Sequence, residues 1–161
     1  AALVLGLAAC GGDEPPPQPP PQPTPQPIQT TPPPAVTDTG DAVLDGDRIK
    51  IAKTIYYDTD KDIIRPESYP VLNAVANVIK SHPEIEQLIV EGHTDDQGNV
   101  EHNRELSEKR ANAVVRYLAS VGISIPMQAP GYGATAPVCF TTDDTCRQMN
   151  RRVEFKVKRK Q

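Results

Sequence analysis

Asp95, Asp96 and Arg110 are the side chains whose types and spacing point most directly to chemistry. A carboxylate and a guanidinium held side by side can grip a zwitterion. The carboxylate takes an ammonium, and the guanidinium takes a carboxylate in a forked pair. The same residues could instead form a buried ion pair that only fixes a loop, and spacing alone leaves both readings open. Glycan hydrolysis fits less well, because adjacent carboxylates beside an arginine stay ionised and leave no proton donor. His82, His93 and His102 lack the spacing of metal ligands. Asp58, Asp60 and Asp62 open like a calcium loop, but Ile63 and Tyr69 stand where that loop needs glycine and glutamate. There is no Gly-x-Ser-x-Gly and no phosphate-cradling glycine loop. These features describe a binder, with no metal or cofactor implied, and not an enzyme.

Such a pair needs a strand, a loop and a helix to position it. Leu88-Ile89-Val90 is an apolar run that stops at Glu91-Gly92, and His93 to Gly98 is a short polar loop. A helix is expected over about Glu101–Val121, with Leu106, Arg110, Val114, Leu118 and Val121 on one face, stopped by Gly122. Ligands of α/β sheets sit beyond the carboxyl ends of strands, where this loop lies. Arg110 falls at the top of the core-facing stripe and needs a partner there, since an unpaired buried charge is costly. The nearest acids that a strand end could offer are Asp95 and Asp96.

The other elements follow from alternation and breakers. Ile49–Tyr57 reads as a strand, and Pro66 opens a helix that ends before Pro83. Ile85–Glu91 is the second strand. Met127–Gly133 is a weaker third, irregular or at an edge because of Pro130. Arg152–Lys158 is the last, with Val153, Phe155 and Val157 alternating with charged residues. The order β-α-β-α-β-β predicts an α+β two-layer sandwich, with one mixed sheet and both helices on one face.

Gly92-His93-Thr94-Asp95, then Asn103-x-x-Leu106-Ser107-x-x-Arg110-Ala111, then Asn150-Arg151-Arg152, together resemble the OmpA-like C-terminal domain family over about residues 48–158. The resemblance implies non-covalent binding of the diaminopimelate in peptidoglycan stem peptides. It places the central contacts at Asp95 and Arg110 and further hydrogen bonds at Asn103 and Arg151. Asp58 and Thr94 would lie at the rim, and Leu106 would pack beneath. Pal-like lipoproteins of this family imply tethering of the outer membrane to the wall. The alternative is a periplasmic adaptor that binds Tol-type proteins.

The start of the sequence agrees with that setting. Residues 1–10 are apolar, end in Leu7-Ala8-Ala9-Cys10, and read as the tail of a secretory signal with a lipobox. Cleavage before Cys10 and acylation, palmitate included, would anchor the chain, because two or more acyl chains hold a membrane stably. Residues 11–42 then form a linker, and Pro15–Pro34 holds 12 of the 18 prolines. That tract favours extended polyproline II over any packed core. Residues 43–161 are long enough for one domain. The net charge of −4 implies no global attraction to nucleic acid. A basic cluster from Arg147 to Lys160 reads as the solvated side of the last strand, or secondarily as attraction to an acidic polymer. Cys139 and Cys146 would form a disulfide in an exported protein, with metal binding as the alternative.

Overall fold

Alternation in the last strand decides where the core lies. Val153, Phe155 and Val157 are buried, while Glu154 and Lys156 between them point to the other face of the sheet. The computed structural model describes residues 41–58 and 60–160. The Cys10 lipobox and the proline tract lie outside the described residues.

Six strands form one mixed sheet: β1 (Ala42–Asp45), β2 (Arg48–Ile51), β3 (Ile85–His93), β4 (Met127–Gln128), β5 (Gly131–Gly133) and β6 (Val153–Arg159). The order is β1-β2-β6-β3-β4, and β5 also pairs with β3. β6 runs antiparallel between β2 and β3, whereas β4 and β5 run parallel to β3. Pro130, which has no amide hydrogen to donate, separates β4 from β5, and this is the irregularity expected there.

Helices α1 (Tyr69–Ser81) and α2 (Val100–Ser120) cover the face that carries Val90 and Phe155. Leu72, Val75 and Ile79 of α1 and Val114 and Leu118 of α2 join those strand residues in one core. Each such side chain contributes about 1.5–3 kcal/mol when fully buried. α1 is entered through a 3-10 turn, Pro66–Ser68, where proline's fixed φ suits a first turn. The Asn99 side chain caps α2 by accepting from the backbone N–H groups of Glu101 and His102. α2 ends before Gly122, whose φ of 91° suits glycine.

Three expectations need correction. The first strand does not run from Ile49 to Tyr57. It ends at Ile51 and is half of a hairpin with β1, a strand that the sequence pattern did not indicate. Beyond it, the Tyr56 N–H donates to the Ser68 hydroxyl at 2.8 Å and the Arg65 N–H to the Tyr56 carbonyl at 3.0 Å, so the segment is tied to the α1 entry and not to a strand. A third helix, α3 (Asp144–Asn150), stands where the sequence pattern indicated no element. Among the described residues, no helix is long and apolar enough to cross a membrane.

Candidate functional site

The carboxyl end of β3 passes so close to α2 that side chains are excluded. A Cβ on Gly92 would lie 2.1 Å from the Ser107 carbonyl oxygen, so only glycine fits. The Ser107 hydroxyl accepts from the Gly133 N–H at 2.9 Å and donates to the Arg104 carbonyl at 2.8 Å, locking β5 to the helix. His93, Thr94 and Asp95 leave the strand already buried.

Helix α2 fixes the loop that follows. Asn103 Nδ2 donates to the Gln97 carbonyl at 2.7 Å and, more weakly, to the Asp95 carbonyl at 3.5 Å. The Thr94 hydroxyl donates to the Asp95 carbonyl at 3.0 Å. Asn103 and Thr94 therefore direct their donors at their own loop, and the geometry gives them a bracing role that the sequence did not foresee.

The Asp95 carboxylate accepts from the Gln97 N–H at 3.2 Å and pairs with Arg151 Nη1. Its side chain is 12% exposed against 45% for Arg151, so the carboxylate is fixed and the guanidinium remains reachable. This corrects the expected pairing of Arg110 with Asp95 or Asp96. Asp96 pairs instead with Arg147 at 3.4 Å.

Arg110 is held differently. Its guanidinium lies over the Tyr57 ring, 5.1 Å from the centroid, and Nε donates to the Lys61 carbonyl at 3.0 Å. The Tyr57 hydroxyl donates in turn to the Arg110 carbonyl at 3.2 Å. Burial pushes the Tyr57 phenol well above its ordinary range even though Arg110 opposes this. Burial also lowers the Arg110 pKa, but a guanidinium remains charged. Among the described residues no carboxylate lies within ion-pair distance of Arg110, and its terminal nitrogens have no hydrogen-bond partner. A ring face and a carbonyl thus hold a cation whose fork is unused.

Tyr56, Tyr57, Gly92, Arg110, Gln148 and Arg151 line one pocket. Asp95 lines an adjoining groove with Phe140 and Asn150, and its pair with Arg151 joins the two. Two predicted residues stand apart. Leu106 is half-buried in another groove with Asp60, His102 and Lys109, and Asp58 sits beside Tyr57 without lining the pocket. Tyr57, Gln148 and Arg147 were not predicted. The signal for the last two was Asp143, which caps α3 by accepting from the Cys146 N–H at 2.9 Å.

Asn150 shapes the groove wall. Its Oδ1 accepts from the Val138 and Cys139 N–H groups at 2.9 and 3.1 Å, and Nδ2 donates to the Cys139 carbonyl at 2.8 Å. Cys139 and Cys146 are joined in the structure, with Cα atoms 5.2 Å apart.

Most of the basic cluster is matched by acids. Arg152 pairs with Glu154 at 2.7 Å, Lys156 with Glu91 at 2.8 Å and Arg159 with Asp47 at 3.2 Å. That pattern is a solvated strand face with little charge left for a polymer. Glu91, His93 and Glu154 converge, with donor atoms within 4.8 Å of one another, but Lys156 and Arg152 already balance the two carboxylates. His93 stacks on Tyr132, with centroids 5.5 Å apart, and burial holds its imidazole pKa below the ordinary value.

A two-layer α+β domain with an ionic pocket beyond β3 is the class that fold and site define. Residues 56–151 match the OmpA family, and the chain belongs to it. It is 35% identical over 109 residues to the peptidoglycan-associated lipoprotein of Pseudomonas aeruginosa, covering 67% of this chain and 64% of that protein. The chain thus spans just under two thirds of that relative. The crystal structure of the peptidoglycan-associated lipoprotein from Burkholderia pseudomallei matches with a TM-score of 0.59 and 32% identity, over 66% of this chain and 92% of that one. A MotB-like protein from Desulfovibrio vulgaris matches with a TM-score of 0.62 and 28% identity, over 74% of this chain and 78% of that one.

Proposed function

We propose that the domain binds peptidoglycan non-covalently and without cleaving it, by clasping the zwitterionic end of a diaminopimelate side chain. One observation carries this reading: the unused Arg110 fork faces the same pocket as Arg151, whose carboxylate partner Asp95 is fixed. A ligand carboxylate between the two guanidinium groups and an ammonium on Asp95 would satisfy all three charges. Asn103 and Thr94 hold the Asp95 loop, and Tyr57 holds Arg110, so the pocket is ordered before the ligand arrives.

Acylated Cys10 would fix the chain to the outer membrane, with the domain facing the periplasm. Pro15–Pro34 would extend roughly 60 Å as polyproline II at ~3.1 Å per residue. The relatives named as peptidoglycan-associated lipoproteins support this arrangement. Many tethered copies on one polymer gain avidity, so each contact can stay modest. Cell-envelope integrity is the role that follows.

The test is elution. Protein bound to isolated sacculi should be released by a stem tripeptide carrying meso-diaminopimelate but not by the same peptide with lysine in that place, because the lysine side chain ends in an ammonium with no carboxylate beside it. Equal release by both would discard the clasp.

A further inference from the structure

We propose that the Cys139–Cys146 disulfide positions Arg151, so that opening this bond with a dithiol weakens wall binding while the rest of the domain stays folded. The proposal rests on the wall-binding reading of the main pocket and adds a redox control to it.

Helix α3 and the residue that ends it serve the site and not the core. Gln148 and Arg151 line the main pocket, and Arg147 pairs with Asp96 at 3.4 Å. Among the described residues, the hydrophobic core draws nothing from α3. Seven residues are too few for a helix to stand on its own propensity. Only Cys146 and Asn150 of α3 are buried, and both hold the same short stretch. Cys146 is bonded to Cys139, and Asn150 takes the backbone of Val138 and Cys139 through three hydrogen bonds. That stretch follows β5 and is held in turn where Arg152 Nη2 donates to the Ala136 carbonyl at 3.1 Å. The Arg151 N–H donates to the Arg147 carbonyl at 3.0 Å, so the last turn of α3 sets the direction in which the Arg151 side chain leaves for Asp95. Opening the disulfide removes one of the two buried attachments of α3 and leaves the core untouched.

The two sulfurs are not equivalent. Cys139 is half-buried and Cys146 is 1% exposed, so a reductant thiolate meets Cys139 Sγ first. A mixed disulfide forms there and Cys146 leaves as a thiolate. The Thr141 N–H, which donates to Cys146 Sγ at 3.2 Å, would stabilise that charge. The second thiol of the reductant then displaces Cys139. Two electrons pass to the protein, each cysteine takes a proton, and the reductant ends as its own disulfide.

The experiment titrates the full chain with a stem tripeptide carrying meso-diaminopimelate, before and after treatment with dithiothreitol. Wild type and Arg151→Ala are compared, with a thermal melt of each form. Reduction should weaken wild-type binding roughly tenfold, the factor for one charge-assisted hydrogen bond, and reoxidation should restore it. In Arg151→Ala, reduction should change affinity by less than about twofold, because the bond acts through the residue already removed. The double variant Cys139→Ser, Cys146→Ser should bind like reduced wild type. Unchanged wild-type binding after reduction overturns the proposal and leaves the main pocket standing. An equal loss in Arg151→Ala does the same, since it would mark a general loosening and not an effect on Arg151. Loss of the cooperative melt on reduction also overturns it, because α3 would then be part of what holds the core. A folded wild type that binds the tripeptide in neither state overturns both readings.

Discussion

Arg110→Lys separates charge from geometry in the pocket. In the fold, Arg110 has one hydrogen bond, to the Lys61 carbonyl at 3.0 Å, and the Tyr57 face at 5.1 Å. Those are worth about 0.5–1.5 kcal/mol and about 0.5–2 kcal/mol respectively. A lysine ammonium can keep part of each, and no ion pair is broken, so the variant should lie within about 1 kcal/mol of wild type. The melting temperature should then fall by roughly 3–6 °C at most. Binding should respond more strongly, because a point charge cannot reproduce the fork. Losing one charge-assisted hydrogen bond of about 1.5–3 kcal/mol weakens affinity roughly 10- to 150-fold. Calorimetric titration with a diaminopimelate-containing muropeptide, beside a thermal melt, reads both quantities. A folded Arg110→Lys protein that binds within about threefold of wild type would refute forked recognition.

Three further outcomes follow. Gly92→Ala should destabilise the domain by about 1–3 kcal/mol or more, read by denaturant unfolding, because its Cβ would collide with the Ser107 carbonyl. Asn150→Ala should cost about 2–3 kcal/mol in the same assay, since three backbone partners lose their bonds. Stability should fall with pH through the imidazole range. Unfolded His93 takes up a proton near its ordinary pKa of about 6.5, while burial and the nearby Arg152 hold the folded group below that. The stability is therefore complete above about pH 6.5 and is lost as the pH drops towards the folded value. His93→Gln should flatten that slope, and an unchanged slope would assign it to other groups.

The strand, loop and helix that carry Asp95 and Arg110 are legible because a long amphipathic helix and a buried strand have strong periods. β1 is not, since four residues between Asp41 and Gly46 are too few to show alternation beside so many turn formers. α3 is hidden for a similar reason: its seven residues include two cysteine-loop residues and a threonine, and its cap Asp143 is one of two adjacent aspartates. Of the expected residues, Asp95, Arg110 and Arg151 come together, but not in the expected pairing, while Asp58 and Leu106 stand apart. Arg151 and Arg110 both lie in the same pocket, but Arg151, at the C-terminal end of α3, takes Asp95, while Tyr57, on the segment after β2, takes Arg110. Leu106 follows the helical period, but the turn it covers is the Asp60–Ile63 loop and not the pocket floor.

The most direct test is retention of the full chain on isolated sacculi, comparing wild type with Asp95→Ala and Arg110→Ala after each variant is shown to melt cooperatively. The expected result is that wild type stays on the wall while both folded variants wash through. Equal retention of all three, or a wild-type protein that does not bind, would contradict a wall-binding clasp built on these two residues.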